Sequence, residues 1–130
     1  MIYKVVSPLL GFENIKEMQL LKIDDIFFSL NDVNKDNGII FTLIDPYKLR
    51  NYDIEVPKSY QELLRLTKKS DIRVCNILIL QNPIENSTVN FLAPLIFNKT
   101  DKLMGQIVLD NIKYQNYSIV DKISNYLSKS

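Results

Sequence analysis

The stretch Ile72-Arg73-Val74-Cys75-Asn76-Ile77-Leu78-Ile79-Leu80 decides how this chain folds, together with Thr88-Val89-Asn90-Phe91-Leu92-Ala93-Pro94-Leu95-Ile96-Phe97 beyond the Asn82-Pro83 turn. Side chains alternate along a strand, so Ile72, Val74 and Asn76 share one face and Arg73, Cys75 and Ile77 the other. The apolar finish at Leu78-Ile79-Leu80 predicts a central strand buried on both sides. Residues 88–97 read as a second long strand, bent at Pro94, whose ring removes a ladder donor. Residues 98–101 turn the chain, and residues 104–109 return as the hairpin partner.

Upstream, residues 2–6 form a first strand, closed by Ser7-Pro8, and Pro8-Leu9-Leu10-Gly11-Phe12 turns the chain. Asn14 with Glu17 has the spacing of an N-cap and its N3 acceptor, which predicts one helical turn over residues 14–18. Residues 19–23 and 26–30 pair around Asp24-Asp25, and residues 31–38 are a polar loop. Residues 39–44 form a strand ended by Asp45-Pro46, and residues 47–56 an irregular segment or edge strand. Ser59 and Glu62 form a capping-box pair ahead of Tyr60, Leu63 and Leu64, predicting a short helix over about residues 58–66. Ile119, Ile123 and Leu127, with Val120, predict an amphipathic C-terminal helix over residues 118–128. Seven or eight short strands at near-regular spacing and two short helices describe a mainly β chain, a small antiparallel barrel or rolled sheet. With 130 residues, it is expected to be one domain over residues 1–130.

Composition supports β structure: alanine occurs once, isoleucine 17 times and asparagine 13 times. It also closes most catalytic classes. The absence of histidine removes triads, Cys-His pairs and His-ligated zinc. Cys75 alone makes neither an intramolecular disulfide nor a multi-cysteine metal site. The three glycines, Gly11, Gly38 and Gly105, are too dispersed for a phosphate-binding loop. Sixteen basic against fifteen acidic residues give a net charge of +1, without the surplus of a duplex-binding domain. The opening Met1-Ile2-Tyr3-Lys4 lacks a signal-peptide run, and no apolar segment approaches the roughly 20 residues that span a bilayer, so the expected compartment is the cytoplasm.

The remaining chemical candidates are ordinary. Asp24-Asp25 diverge if extended, and Asp45 and Asp110 sit at strand ends, where aspartates cap turns. No carboxylate set has the spacing of a calcium loop, so no metal or cofactor is expected. Cys75, inside an apolar strand, is expected to be buried and inert, although Arg73 shares its face. The aromatic side chains could form a stacking platform for single-stranded RNA, which is the alternative reading. Against it, the phenylalanines lie in the most apolar strands and the lysines do not cluster beside them.

Four segments together resemble a known family, the flagellar assembly factor FliW. Residues 87–98, Ser-Thr-Val-Asn-Phe-Leu-Ala-Pro-Leu-Ile-Phe-Asn, are similar to its S-T-x-N-L-x-A-P-(apolar)₃-N signature, with Phe91 at a position where leucine is commoner. Met104-Gly105-Gln106-Ile107-Val108-Leu109 resembles its G-x-Q strand, Pro8 to Glu13 its P-G-F-E-like turn, and Asp45-Pro46-Tyr47 with Tyr52 its D-P-aromatic segment. Gln115-Asn116 stand where the family often has a basic pair, and this chain is near neutral where many members are acidic. The resemblance implies a non-enzymatic regulator that binds flagellin and the translational repressor CsrA, relieving repression of flagellin mRNA when free, without binding RNA or membrane itself. It places the partner surface at Phe12, Glu13, Asp45, Pro46, Tyr47, Asn90, Ala93, Pro94 and Asn98. Tyr47 would anchor by its ring, and Glu13 and Asp45 would face basic groups.

Overall fold

A computed structural model describes residues 1–127. Its strands are β1 (Ile2–Ser7), β2 (Glu17–Lys22), β3 (Phe27–Asp32), β4 (Ile40–Ile44), β5 (Ile72–Ile79), β6 (Thr88–Val89), β7 (Leu95–Asn98), β8 (Leu103–Gln106) and β9 (Asp121–Lys122). Helices α1 (Pro46–Leu49) and α2 (Lys58–Leu63) lie between β4 and β5. Seven strands, in the order β4-β3-β2-β1-β8-β7-β5, close on themselves through pairing of β4 with β5. Closure leaves no free edge in that ring. Strands β6 and β9 extend outward from β5. All pairs are antiparallel except β1 with β8.

Strand alternation sorts the apolar side chains. Tyr3, Met18, Leu30, Leu43, Cys75, Phe97 and Met104 fill the barrel interior. The opposite faces of β5 and β7 meet two outer clusters. Ile44, Tyr52, Leu78, Phe91 and Ile123 form one, and Leu64, Leu92, Ile96, Ile107 and Leu109 the other. The middle of β5 is therefore covered on both sides, with Cys75 and Ile77 inside and Val74 and Leu78 outside, but the apolar finish is not, since Ile79 and Leu80 are exposed. The parallel β1–β8 pair needs Gly105: a Cβ built there would lie 2.5 Å from the Ser7 Cβ, where β1 bulges toward β8.

Several expectations are corrected. No helical turn forms over residues 14–18. Glu17 and Met18 already pair in β2 opposite Lys4 and Tyr3, and ladder bonds outweigh one turn's worth of cap. Residues 88–97 are two strands rather than one. β6 pairs with Leu78 and Ile79, β7 with Ile72 to Cys75, and the intervening residues bulge away from β5. Residues 47–56 begin as α1, for which Asp45 is the N-cap and Pro46 the first helical residue. α2 stops at Leu63, and β8 stops at Gln106. The second helix lies at Pro46–Leu49, not at the C-terminus. Residues 118–127 instead give β9 and a 3-10 turn, Ile123–Asn125, while Ser128 lies outside the described residues. Ile123 is buried there, but Ile119 and Val120 are exposed. Pairing of β9 with β6 overrides the four-residue apolar spacing.

Candidate functional site

The nine residues singled out by the resemblance fall into three places. The first is one mouth of the barrel. The turn from Leu9 to Phe12 reverses through Gly11, whose φ of +86° suits glycine. Glu13 folds back so that Oε1 accepts the Gly11 N–H at 3.1 Å. Phe12 is 39% exposed, its ring edge-on to Phe41 at 5.0 Å. Gln106 ties this turn to the Ala93-Pro94 loop: Oε1 accepts the Leu10 N–H at 2.8 Å and Nε2 donates to the Ala93 carbonyl at 3.0 Å. Ala93 and Pro94 are buried, so they shape the mouth without offering side chains. Beside Phe12 opens a cleft of about 610 Å³, with Glu13, Lys16, Glu17, Asp32 and Asn37 among its walls.

The second place is the outer wall. Asp45 accepts the Tyr47 N–H at 2.9 Å, which fixes α1, and Pro46 is buried beneath it. Tyr47 is 51% exposed and packs edge-on against Tyr52 at 5.8 Å. Partial burial, with Asp45 and Asp53 nearby, raises its phenol pKa. Tyr52 is buried, its hydroxyl donates to the Phe91 carbonyl at 2.6 Å, and burial holds its phenol far above the ordinary range. Asn90 completes this group: its carbonyl accepts from Asn76 Nδ2 at 2.9 Å and its Oδ1 accepts the Leu92 N–H at 3.0 Å. Asp45, Pro46, Tyr47 and Asn90 are thus joined through Tyr52 and Asn76.

The third place is the opposite mouth, where Asn98 stands alone. It is fully buried, donates to the Leu64 carbonyl at 2.7 Å, and accepts the N–H groups of Thr100 and Asp101 at 3.1 Å each. It knits the β7–β8 turn to the end of α2. Across the three places, the side chains left open to a partner are Phe12, Glu13 and Tyr47, with Asp45 and Asn90 half-buried.

Arg50 was not singled out by the sequence. Its guanidinium lies 4.8 Å from the Tyr117 ring centre, 5.1 Å from Phe91 and 5.3 Å from Tyr126. It donates to the Tyr126 hydroxyl at 3.0 Å and approaches the Asp121 carboxylate at 3.9 Å. Tyr117 and Tyr114 accept the N–H groups of Asp53 and Glu55 at 2.7 and 2.8 Å. These phenols clasp residues 50–56 against the C-terminal segment in place of a strand ladder. The available signal was the spacing of the tyrosines at 114, 117 and 126, which belong to the aromatic set that the alternative RNA reading would use for stacking. Arg50 and neighbouring rings occupy the faces that bases would need.

The carboxylates do not gather. Asp45 caps α1, Asp110 caps its own turn by accepting the Ile112 N–H at 2.8 Å, and Glu62 is exposed on α2. Among the described residues no cluster of three acidic or cysteine side chains is arranged to hold a metal ion. Cys75 is buried, and burial pushes its thiol up to about 12. No helix among those residues is long and apolar enough to cross a membrane.

What results is a small closed β-barrel with the open candidate side chains Phe12, Glu13 and Tyr47 carried on its turns. The chain belongs to the FliW family of flagellar assembly factors: the FliW protein family model matches residues 1–121. It is 44% identical over 128 residues to Flagellar assembly factor FliW 2 of Wolinella succinogenes, covering 98% of this chain and 93% of that one. It is 46% identical over 129 residues to Flagellar assembly factor FliW of Sulfurimonas denitrificans, covering 99% of this chain and all of that one. A crystal structure of the flagellar assembly factor FliW superposes with a TM-score of 0.84 at 27% identity, covering 99% of this chain and 88% of that one.

Proposed function

We propose that this chain is a non-catalytic partner switch: it binds flagellin in the cytoplasm and, when free, binds CsrA and relieves repression of flagellin mRNA. The observation that carries the reading is family membership across residues 1–121, with relatives at 44–46% identity that are flagellar assembly factors. By linkage, a ligand preferring the RNA-incompetent state of CsrA lowers its RNA affinity by the same coupling factor.

The geometry supports a division of labour among the nine residues. Phe12, Glu13 and Tyr47, exposed on fixed turns, touch the partner, and Asp45 supplies a carboxylate edge. Pro46, Asn90, Ala93 and Pro94 hold those turns in place, and Asn98 fixes the β7–β8 turn at the other mouth. The test is capture from a lysate of a flagellated cell with this protein as bait, followed by competition between purified flagellin and CsrA. Retention of both, each displacing the other, is expected. If neither is retained while the protein holds single-stranded RNA in a salt-dependent way, the partner switch is wrong and the RNA-binding alternative stands.

A further inference from the structure

At the Asn98 mouth the charge of this chain separates. Lys4, Arg65, Lys68, Lys69, Lys99 and Lys102 gather there with Glu17, Glu62, Asp71 and Asp101 beside them, a local net charge of +2, and Lys99 pairs with Asp71 at 3.4 Å. The whole chain carries +1, so the remainder is net negative. The cluster is contiguous by backbone contact. The Lys4 N–H donates to the Lys102 carbonyl at 2.9 Å, Lys99 N–H to Asp71 carbonyl at 2.8 Å, and Asn98 reaches both Leu64 and Arg65 carbonyls. Next to it runs an open groove of about 480 Å³, walled by Ile54, Val56, Leu66 and Ile72, with Lys68 at its rim. Ile72, at the start of β5, is 42% exposed beside this groove. The groove's own carboxylate, Glu55, is already paired with Lys113 at 3.1 Å.

Two of the cations stand where backbone geometry favours glycine. Arg65 follows α2 at φ +54°, and Lys102 closes the β7–β8 turn at φ +57°. These are the only described non-glycine residues with positive φ. A long side chain in that conformation carries a steric cost that glycine avoids. Strain of this kind clusters where a surface serves recognition.

We propose that this groove and its rim dock an acidic protein segment bearing an aliphatic side chain. The aliphatic group seats among Ile54, Leu66 and Ile72, and flanking carboxylates face Arg65, Lys68 and Lys102. The basic rim suits any anion, but the groove's apolar wall is aliphatic, without the flat aromatic faces on which unpaired bases stack, so the wall favours an acidic protein segment over single-stranded RNA. The surface is separate from Phe12 and Glu13, which lie at the other mouth, so its fate is independent of the flagellin and CsrA reading.

The test titrates isotope-labelled protein with a peptide alternating Glu and Leu, following backbone amide shifts by NMR. Parallel titrations use the same peptide with Gln for Glu, and an oligouridylate. Shifts centred on Arg65, Lys68, Ile72 and Lys102, seen with the Glu peptide alone and weakened several-fold at roughly 300 mM salt, are expected. The double substitution Arg65→Gly with Lys102→Gly is expected to weaken peptide binding about tenfold, while the thermal midpoint holds or rises. Equal response to the Gln peptide, a stronger response to oligouridylate, shifts elsewhere or no shifts at all each overturn the proposal. So does undiminished binding by a folded double variant.

Discussion

Replacing Asn98 with alanine gives the sharpest test of how the barrel is held at its basic mouth. The side chain is fully buried and serves three backbone groups at 3.1 Å or less, the Leu64 carbonyl and the N–H groups of Thr100 and Asp101. Leu64 is itself buried, so its carbonyl loses its partner without gaining water, at about 1–3 kcal/mol. Thr100 and Asp101 are exposed, and water replaces Asn98 there at a cost of roughly 0.5 kcal/mol each. The sum is about 2–4 kcal/mol, or some 8–15 °C in thermal midpoint for a chain of this size. Asn98→Asp separates the contributions. It keeps both accepting bonds but sets a carboxylate against the Leu64 carbonyl, which raises its folded-state pKa, so it should be worse than alanine at neutral pH and recover as pH falls toward about 4, where the recovery is complete. Urea unfolding followed by far-ultraviolet circular dichroism, with a thermal scan, measures all three proteins. A loss under about 1 kcal/mol for Asn98→Ala would refute the reasoning, because the Leu64 carbonyl would then have found another partner.

Gly105→Ala should cost about 1–3 kcal/mol by forcing β1 from β8, and Ser7→Gly in the same chain should restore part of it, both read from urea midpoints. Arg50→Met should cost about 1–3 kcal/mol through the lost contacts to three rings and one hydroxyl, and should speed amide exchange over residues 50–56 and 114–126. Cys75 should resist alkylation in the native state and react only on unfolding. Its thiol is raised to about 12 when folded, against an ordinary value near 8.5, so the folded state holds its proton longer than the unfolded chain. Its contribution to stability is therefore complete below about pH 8.5 and fades toward pH 12, and Cys75→Val should flatten that part of an alkaline denaturation curve.

Periodicity revealed the barrel strands because each had one obligate apolar face. For β5 the apolar finish misplaced the second buried face: Val74 and Leu78 are covered on the outer side, while Ile79 and Leu80 are exposed. Where partners lie far along the chain, spacing misleads. Asn14 and Glu17 carry a helical cap pattern but are captured by β1, and Ile119, Ile123 and Leu127 mimic a helix where β9 pairs with β6. The candidate site was readable as residue identities but not as geometry. Local sequence shows that Asp45-Pro46 starts a turn. It does not show that Asn98 points inward to Leu64 while Tyr47 points outward, since that depends on elements 34 residues apart in the chain. Arg50 was invisible for the same reason: its cage is assembled from Phe91, Tyr117 and Tyr126.

The parallel pair between β1 and β8 has a consequence for synthesis. The Ser7 hydroxyl bonds the Gln106 carbonyl, 99 positions downstream, and no neighbouring strand can take the place of β8 in the ring. A nascent chain on the ribosome can form the β1-β2-β3-β4 meander early and cover its β4 flank once β5 emerges, yet its β1 flank stays open until Gln106 has left the exit tunnel. For most of its translation the polypeptide is an unclosed sheet with a sticky border, so the slow, long-range step comes last and all at once.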